Sequence, residues 1–172
     1  MTAAADIPWH ENDQLFREQQ NIGRKYEAYV AAKLVAEGLG VRVPVQRTRP
    51  TFAERAEYRD SRDILVDCPN GFVAEIEVKS LRHRFTGADD FPYSRIFLDG
   101  QRLLDKKGAP TAYVHISQLT NGMFVTPKTS APHWRLTTRT DSIRGITNKV
   151  YSCAMKHQRS FADLIEYLKE QR

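Results

Sequence analysis

The chain has 172 residues, of which 41% are hydrophobic and 27% are charged, fractions typical of a globular domain and not of a disordered chain. No apolar run approaches the roughly 20 residues that span a bilayer, so no membrane span is expected. The net charge of +5 and the pI of about 9.3 slightly favour a polyanionic partner. Cys68 and Cys153 lie far apart without paired neighbours, which argues against a zinc knuckle or a disulfide framework. No secretory signal is legible at the N-terminus, and a reducing cytoplasm is the default expectation.

The first third of the chain is predicted to hold one long helix and a short edge element. Residues 1–12 are expected to form a loose arm. The alanine-rich segment Asp13–Gly38 combines strong helix propensity with an apolar stripe and ends in glycine. Val41–Gln46 alternates like a short strand, but Pro44 favours an edge strand or a loop. The polar segment Arg47–Ser61 is interpreted as a loop.

Two strands joined by a tight turn are predicted next. Asp63–Cys68 is rich in branched residues, and Pro69-Asn70-Gly71 is a strong turn signal. Phe72–Ser80 then alternates strictly between apolar and polar positions. Because the turn is short, the two strands are expected to be antiparallel neighbours.

The rest of the chain is predicted to alternate between helices, strands and loops. Gly108-Ala109-Pro110 should end a helix, and Ser160 with Asp163 has the pattern of a capping box. The expected elements are a loop at Arg82–Pro92, a helix at Ser94–Lys107, strands at Thr111–Ser117 and Gly122–Thr126, an irregular basic segment at 127–150 and a final helix at 160–170.

The order of these elements predicts an α/β fold with a central mixed sheet of four strands, or slightly more, flanked by helices. We interpret residues 1–172 as a single domain. Within it we expect an arm at 1–12, a core at 13–117, and a C-terminal extension at 118–172 that ends in the final helix.

One face of the predicted strand Phe72–Ser80 carries a row of charges. Glu75, Glu77 and Lys79 alternate with apolar residues and therefore share a face. Such a row is usually the wet side of a half-exposed sheet. Asp63, however, begins the preceding strand, and the tight turn should bring it close to Glu77 and Lys79.

An acid pair with a lysine two residues beyond the second acid has a chemical use. Two carboxylates can hold one or two divalent ions, usually Mg²⁺ with Mn²⁺ as a substitute, and leave positions for water and phosphate. Asp63 and Glu77 are the expected ligands. Lys79 can lower the pKa of an attacking water or stabilise charge on the phosphate. Glu27, on the first predicted helix, is a third candidate ligand, although a surface position is the commoner fate of a helix glutamate.

Basic residues flank the acids and are candidates for binding phosphate, which supplies most non-specific affinity for nucleic acid. The alternative is an ordinary solvated surface. The candidates are Arg24, Lys25, Arg62, Arg82 and Arg84. Supporting roles are considered for the polar residues Glu75, Gln101 and His115, although a histidine inside a strand is more often structural.

At these residues the sequence resembles the PD-(D/E)xK nuclease superfamily. The similarity is carried by Asp63-Ile64-Leu65-Val66, by Glu77-Val78-Lys79-Ser80 and by Glu27 on the upstream helix. It extends over about Gly23–Ser117. Within the superfamily, this stretch is similar to archaeal-type Holliday junction resolvases and to small phage or restriction-type nucleases. The residue before Asp63 is Arg62 where the name of the family has a proline.

The resemblance implies a restriction-endonuclease-like core of four mixed strands with helices on both sides. It also implies that Asp63, Glu77 and Lys79 match the metal-binding and catalytic core, and that Glu27 matches the helical acid. The implied function is Mg²⁺-dependent endonucleolytic hydrolysis of DNA. A homodimer would suit a resolvase or a double-strand cutter, although no interface is legible.

Two other interpretations stay open at this point. The fold could serve as a catalytically silent module that binds nucleic acid or a protein partner, in which case no metal should bind. Alternatively, the motif is a chance match within a small structural or interaction domain, in which case Asp63 should lie far from Glu77.

Overall fold

The computed structural model describes residues 13–45, 50, 51, 53, 62–141 and 146–171. The predicted arm at 1–12 and most of the predicted loop Arg47–Ser61 lie outside these residues. The α-helices are α1 (Asp13–Ala36), α2 (Gln101–Lys107) and α3 (Phe161–Glu170). The strands are β1 (Gly40–Arg42), β2 (Ile64–Asp67), β3 (Val73–Leu81), β4 (Arg95–Gly100), β5 (Ala112–Ser117), β6 (Met123–Pro127), β7 (Arg135–Asp141) and β8 (Ile146–Ala154). Short 3-10 helices occupy Lys128–His133 and Met155–His157.

The central sheet is mixed and has five strands in the order β1-β2-β3-β5-β6. β2 and β3 are antiparallel with Ile64 opposite Ile76, which confirms the predicted hairpin. β3 and β5 are parallel, with Glu77 opposite Tyr113 and Lys79 opposite His115. The α/β class and the mixed sheet are therefore as the sequence predicts.

One face of the central sheet is covered by the two longer helices. Tyr26, Val30 and Leu34 of α1 and Leu164 and Leu168 of α3 pack in one core with the inward residues of the sheet. Glycine at C′ ends α1, since Gly38 has a φ of 82°. The predicted capping box at Ser160 and Asp163 is present at the start of α3. Because β6 and α3 contribute to this core, the segment after Ser117 is part of the main packing unit.

The opposite face is covered by a second sheet of three strands in the order β4-β8-β7, together with α2. Ile96, Leu98 and Cys153 of the second sheet pack against Tyr113 and Phe124 of the central sheet in a second core. The face of the central sheet that bears Glu77 and Lys79 is therefore not simply exposed to solvent. Its charges lie at the border of an apolar layer between two sheets.

The predicted helix Ser94–Lys107 is wrong in its first half. Arg95–Gly100 is strand β4, and α2 begins at Gln101 directly after it. No turn residue separates the two elements, because Gly100 itself caps the helix in an extended conformation. The branched and aromatic residues Ile96 and Phe97 suit a strand that pairs with β8.

The segment 127–150 is not irregular as expected. It contains a 3-10 helix, the whole of β7 and part of β8. β7 contains three threonines, and residues 147–149 of β8 are all polar, so neither strand shows the regular apolar alternation that marks a strand in a sequence. The predicted edge strand Val41–Gln46 is shorter and shifted, at Gly40–Arg42.

β7 and β8 extend past the end of β4. The last pair between β4 and β8 joins Gly100 to Val150. Thr138–Asp141 continues to pair with Ile146–Lys149, and among the described strands no third one lies beside these four pairs. This part of the second sheet, which we call the ribbon, is thus a two-stranded projection.

Candidate active site

Asp63 lies against the strand triplet that the sequence analysis paired with it. Its Oδ2 accepts a hydrogen bond from the backbone N–H of Val78 at 2.7 Å. Its charge also acts on both Glu77 and Lys79. The register of the hairpin explains this contact, because Asp63 directly precedes Ile64, which pairs with Ile76. The structure thus brings Asp63, Glu77 and Lys79 together.

Lys79 is held by two carboxylates. Its Nζ lies 2.6 Å from Oδ1 of Asp99 and 3.5 Å from Oε1 of Glu77. The hydroxyl of Tyr113 donates to the other oxygen of Asp99 at 3.0 Å. Burial lowers the pKa of the Lys79 ammonium, but Asp99 and Glu77 more than offset that effect and leave the pKa raised. Lys79 is therefore a cation with a fixed position at neutral pH.

Asp99 reaches Lys79 because of an irregularity in β4. The pairing of β4 with β8 shifts register between Phe97 and Gly100. In a regular strand Leu98 and Asp99 would point to opposite faces, yet both are buried, at 8% and 7% exposure. A bulge of this kind commonly re-aims a side chain beside a functional site. Here it turns Asp99 inward, between the two sheets.

Glu77 lies in an environment that disfavours its charged form. Burial is the main cause, and with Asp63 and Asp99 it raises the pKa of the Glu77 carboxyl to about 7, although Lys79 and Arg62 oppose the shift. Additional positive charge at this point would stabilise the carboxylate. Crowded acids with a raised pKa are typical of functional sites.

The donor set fits a hard divalent cation only in part. Carboxylate oxygens of Asp63 and Glu77 are the ligand type that Mg²⁺ prefers. Within the described ranges, no three side chains of His, Cys, Asp or Glu are arranged to hold a metal ion. Mg²⁺ commonly binds through one or two carboxylates and fills its other positions with water and phosphate oxygens. Asp63 and Glu77 are two carboxylates of this type at neighbouring positions of the hairpin.

Glu27 does not complete the cluster in the way that the sequence analysis expects. It lies on α1, which packs on the face of the central sheet opposite to Glu77 and Lys79. Its carboxylate is directed along its own helix, close enough to Gly23 that a β-carbon there would lie 3.6 Å from Oε1. The third acid beside Lys79 is Asp99, which the sequence analysis missed.

Arg62 has a structural position, which corrects its expected role as a phosphate contact. Its guanidinium is 10% exposed and donates to Glu75 at 2.8 Å and to the carbonyls of Lys107 and Gly108 at 3.1 and 2.7 Å. It also lies 3.9 Å from Glu77. Arg62 therefore ties the end of α2 to β3, and Glu75 holds the guanidinium that lies beside Glu77.

Arg82 and Arg84 are exposed on the loop that follows Lys79 by a few residues. Phe85 anchors this loop in the second core, and Ser117 donates a hydrogen bond to the carbonyl of His83 at 2.7 Å. A β-carbon on Gly122 would lie 2.4 Å from the Phe85 carbonyl oxygen, so the loop is packed directly on the turn after β5. The two arginines thus project from a fixed base three and five residues after Lys79 in the chain.

The other predicted polar residues lie further from the cluster. Arg24 and Lys25 are on α1, where Lys25 is exposed and Arg24 half-buried. Gln101 begins α2, two residues after Asp99, and lines a cleft that also borders Asp99.

His115 is fully buried and stacks on Phe124 with ring centroids 4.8 Å apart. Its Nε2 lies 2.9 Å from the hydroxyl of Thr126, while its Nδ1 has no partner among the described residues. Burial, helped by Lys79, lowers the pKa of the imidazole to about 3. His115 is therefore neutral and part of the core.

The sequence contains one signal that could have revealed Asp99. Ile96-Phe97-Leu98-Asp99-Gly100 is an apolar run interrupted by a single acid. An acid in such a run is buried only when it is paired. The helix predicted for Ser94–Lys107 gives this acid no such environment, and the sequence analysis does not include it among the candidates.

Comparisons with known proteins add little to this geometry. No family model matches the chain, and no curated protein matches its sequence. Among solved structures, the chain is similar to the bacterial homing endonuclease I-Ssp6803I, with 12% sequence identity and a TM-score of 0.45, over 86% of this chain and 92% of that chain. None of the described helices has the length and apolar character needed to cross a bilayer. The function must therefore be inferred from the site itself.

Proposed function

We propose that this protein is a metal-dependent nuclease that hydrolyses phosphodiester bonds in DNA, with Mg²⁺ as cofactor and Mn²⁺ as a substitute. The observation that carries the proposal is the hydrogen bond between the Val78 N–H and the Asp63 carboxylate at 2.7 Å. It joins the aspartate of one strand to the Glu77-Val78-Lys79 triplet of the next. Two acids and a lysine on one face are the minimal set for metal-assisted phosphodiester hydrolysis.

Each residue has a distinct part in this proposal. Asp63 and Glu77 would hold the metal ion, which when bound supplies Lewis acidity and a water of lowered pKa. Lys79 keeps its proton and stabilises negative charge on the phosphate. Its raised pKa makes it an electrostatic group and a poor general base. Asp99 and Tyr113 position Lys79 without touching the substrate.

A second candidate function is a silent module that binds DNA without cutting it. Two observations favour it: the described residues provide no group of three metal ligands, and Lys79 already has carboxylate partners in Asp99 and Glu77. In that case the charged cluster would only stabilise the contact between the two sheets.

The test is a nuclease assay on linear, circular, branched and single-stranded DNA with Mg²⁺ or Mn²⁺. Lys79→Met should abolish cleavage and leave DNA binding largely intact. Lys33→Met is the matched control, because Lys33 is exposed on α1, on the other face of the central sheet. Absence of cleavage of every substrate by the wild type, together with no Mn²⁺ binding by calorimetry, would overturn the proposal in favour of the silent module.

A further inference from the structure

The ribbon at the end of the second sheet projects without a core of its own. Its four residue pairs, Thr138–Asp141 with Ile146–Lys149, continue beyond the last pair of β4 with β8. An isolated two-stranded hairpin is at best marginally stable in water. The ribbon therefore depends on the sheet behind it for its stability.

The exposed side chains of the ribbon have the composition of a recognition surface. All of those described are cationic or hydrogen-bonding: Thr138, Arg139, Thr140, Thr147, Asn148 and Lys149. Arginine and lysine pair with guanine, asparagine pairs with adenine, and threonine contacts either base edges or the thymine methyl. Arg139 is also held in place, since its guanidinium lies 4.4 Å from the centre of the Phe97 ring.

A cleft of about 800 Å³ lies between this ribbon and the segment Leu98–Leu103, which joins β4 to α2. Its lining includes Arg102 of α2, Asp99 of β4, and Arg139 and Lys149, which lie on adjacent residue pairs of the ribbon. The charge of Asp99 is matched by Lys79, which lies 2.6 Å away. The cleft thus carries three basic side chains and shares Asp99 with the Lys79 cluster.

From this arrangement we infer that the ribbon and the cleft bind duplex DNA, with the ribbon in the major groove and the cleft along the phosphate backbone. This inference rests on the proposed nuclease function and names the substrate class of that site. The major groove of B-DNA, about 12 Å wide, admits a two-stranded β-ribbon. The major groove of duplex RNA is too narrow for side chains to read. Cations lining the cleft match the charge of the backbone.

The test measures binding of a fluorescein-labelled, mixed-sequence DNA duplex by anisotropy, in EDTA so that no strand is cut. The Arg139→Ala/Lys149→Ala double variant should bind at least roughly fivefold more weakly than wild type. Its slope of log affinity against log salt should be smaller by about two. The Lys33→Ala/Lys169→Ala double variant removes equal charge from the exposed surface of α1 and α3 and should bind like wild type. Circular dichroism confirms that both variants are folded.

Asn148→Ala tests recognition separately from charge. Selection from a random duplex library should enrich a motif with the wild type, and the Asn148 variant should lose preference at one position while it keeps its salt slope. Unchanged affinity and slope of the Arg139/Lys149 double variant, or equal binding of duplex RNA, overturn the inference. If the wild-type protein binds DNA through the ribbon but cuts no DNA, the nuclease function is refuted and the inference about the ribbon is not. If the Arg139/Lys149 double variant cleaves DNA as fast as the wild type, the inference about the ribbon is refuted and the nuclease function is not.

Discussion

Lys79 and Asp99 form a 2.6 Å ion pair although they belong to different sheets. Lys79 lies on β3 of the central sheet, and Asp99 lies at the bulge of β4 in the second sheet. The carboxylate is nearly buried and also accepts the Tyr113 hydroxyl. One buried acid therefore fixes both the charge and the position of the proposed electrostatic group, and it also joins the two layers of the fold.

Asp99→Asn should weaken both the fold and the site. The variant removes the charge that balances Lys79, and breaking a largely buried ion pair costs about 3 kcal/mol. Urea unfolding should reveal this loss, and cleavage should fall with a shift in its pH profile as the pKa of Lys79 falls. Tyr113→Phe is the control, since it removes one hydrogen bond to Asp99 and should cost only about 1 kcal/mol. An Asp99→Asn protein as stable as wild type would contradict the role assigned to the pair.

Glu77 should make the protein less stable as the pH rises towards neutrality in the absence of divalent ions. The pKa of its carboxyl is raised to about 7 from the ordinary value of 4.5, so between these values the folded state binds more protons than the unfolded state. Stability therefore falls with rising pH across this window. Thermal melts should show the fall in wild type and its reduction in Glu77→Gln. Identical pH profiles would rule out the raised pKa.

Binding of Mg²⁺ or Mn²⁺ should release protons near neutral pH. With a pKa of about 7, Glu77 is about half protonated there, and a metal ion must displace that proton. Calorimetry in buffers of different ionisation enthalpy should give a release of about half a proton at pH 7. The release should disappear in Glu77→Gln. Metal binding with no buffer dependence would place the ion elsewhere.

His115 should remain neutral far below the usual pKa of histidine. Burial lowers its pKa to about 3, so its ring signals in NMR spectra should not titrate between about pH 7 and pH 4.5. The effect of His115 on the pH dependence of folding stability is opposite in sign to the effect of Glu77. Between the lowered pKa and 6.5 the unfolded state binds more protons, so this group makes stability fall as the pH is lowered. Protonation near pH 6 would show that water reaches the second core.

Substitution of Arg62 and of Arg82 should have different effects, because Arg62 has a structural role and Arg82 is proposed to bind DNA. Arg62→Ala removes an almost buried guanidinium with three hydrogen-bond partners, and the free energy of unfolding should fall by about 2 kcal/mol. Arg82 is exposed, so Arg82→Ala should leave stability within about 0.5 kcal/mol and weaken DNA binding. Denaturant titration and anisotropy measure the two effects. The reverse pattern would restore Arg62 to the role that the sequence suggests.

Local sequence signals predicted α1, the β2–β3 hairpin and α3 because each depends on nearby residues. The apolar stripe and Gly38 define α1, the Pro69-Asn70-Gly71 turn aligns Asp63 with Glu77, and Ser160 caps α3. The proposed acid and lysine set could be predicted for the same reason, since a tight turn sets the register of two strands.

The second sheet could not be predicted in the same way. β4 runs into α2 without a turn, and its pairing partner β8 begins 46 residues after Gly100. β7 and β8 owe their conformation to pairing with each other, and their threonines and arginines give no apolar alternation. Asp99 was missed with them, because its inward direction depends on a register shift that only the paired strands define.

The bulge in β4 makes the site depend on the number of residues between two ladder pairs as well as on their identity. Deleting Leu98 would let regular alternation resume and move Asp99 into the inward position that Leu98 occupies, displaced by about 3.3 Å along the strand from its place at the bulge. Lys79 would then lose its nearest counter-charge while every residue of the proposed site remained in the sequence. Relatives of this protein that keep the acids and the lysine but differ in the length of β4 would have an altered site that no residue-by-residue comparison of the motif would reveal.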